Sequence, residues 1–93
     1  MRSFVGAARY GSWLEEVHRY LSKERKALFP EIVKELGVEG DNRRDLARFL
    51  GIAAWKGLIS ARPKVLRIGG GVVYTTEYEI IKENLEDWRT AFT

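Results

Sequence analysis

The sequence predicts one small α+β domain, and three observations carry that expectation. Before Gly57, apolar residues recur at helical spacing in three separate stretches. Two runs rich in β-branched and aromatic residues follow, joined by Gly69, Gly70 and Gly71. A last stretch then returns to helical spacing. The chain has 93 residues, of which 45% are hydrophobic and 31% charged, the balance of a single globular unit. A domain this small buries a limited core, so a partner chain would stabilise it.

Residues 1–11 show no clear period and are read as an N-terminal arm or a short irregular helix. Ser12 and Glu15 have the spacing of a capping box. Trp13, Leu14, Val17, Tyr20 and Leu21 continue it as a first helix, from about Trp13 to Leu21. A charged connector leads to Lys26-Ala27-Leu28, which can pair as a short third strand. Pro30 suits the first turn of a helix, and Gly37 suits its end. Between them, Ile32, Val33 and Leu36 give a second helix its buried face. Asp41 or Asn42 caps a third helix over 42–56, with Leu46, Phe49, Leu50 and Ala53 inward and Gly57 just past its end.

The hairpin follows over 59–75. Pairing Ile68 with Val72 would set Leu66 opposite Tyr74 and give these four one core face. Arg67 would then point away from that face, and Lys64 would sit beside Pro63 at an edge or an irregular strand entry. Thr76 with Glu79 forms a second capping box, predicting a final helix over 77–91.

This order resembles the winged helix-turn-helix family over nearly the whole chain. The segment LARFLGIAAWKGLI resembles the end of a recognition helix running into a first wing strand. VYTTEYEIIKENL is similar to the junction between the second wing strand and the last helix in small MarR-like and PadR-like regulators. One departure is the nine-residue step from Gly37 to Leu46, longer than a tight helix-turn-helix turn. The resemblance implies a three-helix core with a two-stranded wing. It also implies that the 42–56 helix enters the major groove of DNA and that the wing lies on the backbone or minor groove.

Residue chemistry is consistent with that implication. With Leu46 inward, Arg44, Arg48, Gly51 and Trp55 fall on the opposite side of the third helix. The planar guanidinium of Arg44 or Arg48 can take guanine or phosphate with two hydrogen bonds, and Ala47 and Gly51 leave room for a groove wall. Arg43 is the better phosphate candidate. Asn42 is a candidate adenine reader, with a helix cap as its plainer role. Arg62, Lys64 and Arg67 are the wing candidates. From Asp41 through Arg67, seven cations stand against two carboxylates, whereas from Glu77 through Asp87 five carboxylates stand against Lys82 alone. The plainer reading of the arginines is a solvated helix face, and that of the wing cations is protection of an edge strand. Trp55 is expected to fold back against the wing or the last helix. Tyr78, Ile81, Leu85, Trp88 and Phe92 step by 3, 4, 3 and 4, a heptad seam. The seam is assigned to a homodimer interface, with packing on the first helix as the alternative. His18 is read as a surface or boundary residue.

Other classes are poorly served. The chain has no cysteine and one histidine, so disulfides, thiol nucleophiles and multi-histidine metal sites are excluded. The three glycines follow a strand but open no helix, so the context for a nucleotide loop fails. No enzyme, cofactor, metal or small-molecule ligand is expected. The absence of a long apolar run argues against a membrane span or signal peptide and for the cytoplasm, that of a host if the source is viral. Net charge is +3 with a pI near 9.4, which suits nucleic acid. No glutamine and two asparagines fit a thermophilic source and an archaeal or archaeal-virus regulator. The leading expectation is a homodimeric transcriptional regulator that binds double-stranded DNA by sequence. The alternative is an assembly module that uses the same surfaces on another protein. Single-strand or RNA binding ranks below both, because Trp55 is the lone tryptophan candidate for stacking.

Overall fold

The computed structural model describes residues 2–93, with side chains from Ser12 onward. In chain order its elements are α1 (Arg2–Glu24), β1 (Lys26–Leu28), α2 (Phe29–Leu36), α3 (Asn42–Trp55), β2 (Ile59–Ile68), β3 (Gly71–Ile80) and α4 (Leu85–Ala91). Among the described residues these make an α+β fold of four helices and an antiparallel sheet in the order β1-β3-β2. No helix of the described residues is long and apolar enough to cross a membrane.

The first helix begins earlier than its sequence signals suggest. The stretch 1–11, expected as an arm or a short irregular helix, is from Arg2 onward part of the same helix as Trp13–Leu21. Ser12 therefore lies within α1, and its hydroxyl donates to Glu16 at 2.5 Å rather than capping a helix. Extending a helix costs less than nucleating one, so the upstream residues can add turns to a helix that packing already holds. Trp13, Leu14, Val17 and Leu21 form the buried stripe of α1. Arg25 then turns the chain at φ 73. Its N–H donates to the Leu21 carbonyl at 2.8 Å, and its own carbonyl accepts from the Ile80 N–H at 3.0 Å.

Two helices end in the same way. Gly37 takes φ 65, and the Val38 N–H donates back to the Val33 carbonyl at 3.1 Å. Gly57 takes φ 78, and the Leu58 N–H donates back to the Ala53 carbonyl at 3.0 Å. Each is a Schellman closure, which satisfies end carbonyls and turns the next residue inward. Val38 and Leu58 are accordingly buried. At the start of α2, the Glu31 carboxylate accepts from the Leu28 N–H at 2.7 Å.

β2 and β3 pair from Ile59 with Ile80 out to Ile68 with Gly71. β1 covers only Glu77 to Glu79 on the other edge of β3. The sheet is thus three strands wide near the helices. From Pro63 and Thr76 outward it is a two-stranded ribbon, extending roughly 20 Å. The molecule is correspondingly elongated, 44 × 30 × 20 Å.

The register differs by one residue from the expected one. Arg67 lies opposite Val72, Leu66 opposite Val73 and Val65 opposite Tyr74. Gly69 and Gly70 alone form the turn, with Gly69 at φ 62 as a type II′ turn requires of its first central residue. Gly71 belongs to the strand. The expected face of Leu66, Ile68, Val72 and Tyr74 is therefore split between the two sides of the ribbon. Arg67 shares a face with Val72 and Tyr74 instead of pointing away from them.

The last helix is also shorter than expected. Residues 77–80, predicted as its first turn, continue β3, because β1 supplies hydrogen-bonding partners on their free edge. The Thr76–Glu79 capping box does not form. Asn84 caps α4 instead, its side chain accepting from the Glu86 N–H at 2.9 Å. The core closes around Trp88, which is fully buried and donates its indole N–H to the Lys82 carbonyl at 2.7 Å. His18 meets its ring edge-on at 5.4 Å. Truncating a tryptophan so placed costs about 3–5 kcal/mol. Phe49 of α3 stacks on Phe92 at 4.9 Å and meets Trp13 at 6.4 Å, so one residue links α3 to both ends of the described core.

Candidate nucleic-acid interface

α3 is anchored by one face and open on the other. Leu46, Phe49, Leu50 and Ala53 are fully buried. Arg43, Arg44, Ala47, Arg48, Gly51 and Trp55 are exposed. Arg44 and Arg48 stand one turn apart on the open face, as their spacing predicts. Gly51 between them and Trp55 has no packing role, since a β-carbon built there meets nothing within 4 Å. The entry to α3 differs from the expected cap. The N–H groups of Asn42, Arg43 and Arg44 donate to the carbonyls of Glu39, Gly40 and Asp41 at 3.1–3.2 Å. This tight lead-in uses backbone acceptors, so neither the Asp41 nor the Asn42 side chain serves as the cap. Asn42 is partly exposed at the first position of the helix.

The hairpin cations divide between two faces. Arg62 and Lys64 lie on one side of β2 and Arg67 on the other. Arg62 sits across from Glu77 in the strand register, with no ion pair between them, so it is the one hairpin cation with a carboxylate opposite. From Pro63 to Thr76, Lys64 and Arg67 are the charged residues, with no carboxylate among them.

Among the described residues, ion pairs form at two cations. Arg25 pairs with Glu83 at 3.0 Å, and Arg89 pairs with Glu86 at 2.9 Å and Glu15 at 3.3 Å. The hydrogen bond and charge of Arg25 hold the Glu83 carboxyl below its ordinary range. Among the described residues, the cations of α3 and the hairpin, Arg43, Arg44, Arg48, Arg62, Lys64 and Arg67, make no ion pair, and neither do Arg19, Lys23, Lys26, Lys34, Lys56 and Lys82. The acidic segment around α4 is thus partly neutralised, while the cations of α3 and the ribbon face water.

No family model, curated protein or solved structure matches the chain. Its functional reading therefore rests on the arrangement of its own residues.

That arrangement dissolves the expected seam. Tyr78 lies on β3, buried among the core residues. Trp88 is fully buried, Phe92 stacks on Phe49, and Leu85 is partly buried against the same core. Ile81 alone of the five is exposed, at 53%. The five residues span a strand, a connector and a helix, so they present no common stripe to a second copy. Their periodicity records packing within the chain.

Sequence reasoning also misplaced the outer apolar residues. Trp55 does not fold back: it is 85% exposed, with the Lys56 ammonium 5.9 Å from its ring. Val65, Ile68, Val72, Val73 and Tyr74 are exposed along the ribbon. Their positions beyond the reach of the short β1 were a usable signal. For Trp55 the signal was its place in the Arg44–Arg48–Gly51 row. Among the described residues, no three histidine or acidic side chains form a metal-binding group.

Proposed function

We propose that the chain is a winged-helix protein that binds double-stranded DNA by sequence and acts as a transcriptional regulator. α3 is the recognition helix and the β2–β3 hairpin is the wing. Arg44 and Arg48 read base edges in the major groove, Arg43 holds a phosphate, and Lys64 and Arg67 contact the backbone or minor groove. Arg62, beside Glu77, contributes least, and Asn42 stands at the helix entry within reach of the same groove. The observation that carries this reading is the concentration of exposed cations on α3 and the outer hairpin. The cations of α3 and the outer hairpin are exposed and lack ion-pair partners, on elements whose opposite faces or inner ends are anchored in the core. Desolvating such arginines against phosphates or guanines gains charge-assisted hydrogen bonds without breaking internal ones.

The test is selection of a preferred duplex from a random pool, followed by titration with wild type and the Arg44→Ala/Arg48→Ala variant. Both side chains are exposed, so the variant should keep its thermal midpoint. Losing two base-reading arginines should weaken specific binding by at least about 30-fold. Wild-type affinity should also fall steeply with added salt. Equal affinity of the two proteins for the selected duplex would remove the assignment.

A second reading has its own observation. Trp55 and the apolar hairpin residues are more exposed than stability requires, as on a protein-binding surface. An assembly module would show little salt-sensitive affinity for any duplex and would bind a protein partner through these residues.

A further inference from the structure

Resting on the DNA-binding reading, we propose that the hairpin tip acts as an apolar wedge. Ile68, with Val72 on the opposite face, enters the minor groove and unstacks a base step, so that the bound duplex is bent. Backbone contact by the wing would not require this, because cations alone suffice to hold phosphates.

The tip is built in an unusual way for a solvated turn. Polar turn residues are missing, and the turn itself is Gly69 and Gly70. Ile68 is therefore the outermost side chain on β2, 61% exposed, and Val72 is the outermost on β3, 50% exposed. The glycines add no bulk around them, for no added β-carbon there meets an atom closer than 3.7 Å. Behind the tip, Val65, Val73 and Tyr74 continue the exposed apolar surface on both faces.

Charge identifies the occupant. The ribbon from Pro63 to Thr76 carries Lys64 and Arg67 and no carboxylate, so it suits a partner with a negative rim and an apolar interior. A DNA groove has that composition: phosphates at the edge, base faces within. A second copy of the hairpin does not, because pairing two would oppose like charges with no acid between them. Ribbons that insert aliphatic side chains at a minor-groove step kink the duplex by about 20–90°. Pyrimidine–purine steps yield most readily, so the preferred site should contain TA or CA near the wing.

The experiment uses the full chain and its selected duplex, labelled at both ends for energy transfer, with protein mass measured in parallel. Wild type should shorten the end-to-end distance by the amount a bend of some tens of degrees implies. Ile68→Ser/Val72→Ser should bind with less than a ten-fold loss and leave the duplex straight. Ile68→Ala, a milder change at the exposed tip, should give a smaller bend. A straight duplex under wild type overturns the wedge, as does an unchanged bend under Ile68→Ser/Val72→Ser. A wild-type dimer that the double variant converts to monomer also overturns it, since the apolar tip would then serve a second copy. The Arg44→Ala/Arg48→Ala arm separates the two proposals. If wild type binds and that variant does not, the recognition reading stands whatever the bend. If no duplex binds at all, both fall.

Discussion

Arg25 holds a backbone conformation that residues with a β-carbon seldom adopt, at φ 73 between α1 and β1. The left-handed region costs such a residue roughly 1–2 kcal/mol, which the surrounding hydrogen bonds offset. Its carbonyl is committed to Ile80 and its guanidinium to Glu83. The ion pair is more than half exposed on both sides, so it contributes little. The backbone is the larger effect, and a pair of variants isolates it. Arg25→Gly and Arg25→Ala both lose the ion pair, but only alanine keeps the strain. After allowance for glycine's greater freedom in the unfolded chain, Arg25→Gly should be more stable than Arg25→Ala by about 0.5–1 kcal/mol in urea unfolding. Equal midpoints would mean that the turn relaxes when the side chain is removed.

At the level of elements, α3 shows a conflict between stability and approach. Glycine inside a helix costs about 0.5–1 kcal/mol relative to alanine. Gly51 has no neighbour that a β-carbon would strike, so the core gives no reason for it. Gly51→Ala should therefore raise stability by that amount. If the open face of α3 lies against a groove wall, the same methyl group should lower duplex affinity. Thermal melting and titration of one variant would thus move in opposite directions. A variant that is more stable and binds as tightly as wild type would remove close approach at Gly51 from the binding model. The hairpin makes a similar trade. Its outer half exposes apolar side chains and two strand edges, which Pro63, Lys64 and Arg67 guard against pairing with other strands.

Across the whole molecule, Tyr78 and Glu83 couple stability to pH in opposite directions. Burial raises the Tyr78 phenol above its ordinary value near 10, and a hydrogen bond with Thr76 offsets part of that rise. A group whose folded pKa is raised contributes stability that is complete below its unfolded pKa. That contribution is lost as pH rises from there through the folded value. Wild type should therefore lose more stability than Tyr78→Phe between about pH 9 and pH 11, measured by urea midpoints. Glu83 acts in the other direction. Its folded pKa is lowered, first by the hydrogen bond from Arg25 and then by its charge. Its contribution is present above the unfolded carboxylate value and is lost as pH falls through the folded one, and it is small because the pair is exposed. Should Tyr78→Phe and wild type fall together in alkali, another group controls the alkaline loss.

Local chemistry was enough for much of this protein. The inner face of α3, the closures at Gly37 and Gly57 and the small strand at 26–28 follow from periods and turn residues a few positions apart. The outward row of Arg44, Arg48, Gly51 and Trp55 was legible for the same reason. What escaped the sequence depends on which other segment occupies a given edge or surface. Three consecutive glycines permit either a two- or a three-residue turn, so they cannot choose a register. The choice lies with Ile59, Tyr78 and Ile80, which a one-residue slip would carry out of the core. Residues 77–80 have both strand and helix signals, and β1 decides between them by supplying backbone partners. The spacing of Tyr78, Leu85, Trp88 and Phe92 cannot say whether the covering surface belongs to the same chain. Packing against α1 and α3 answers that, because burial is a property of the assembled surfaces and periodicity only of one segment.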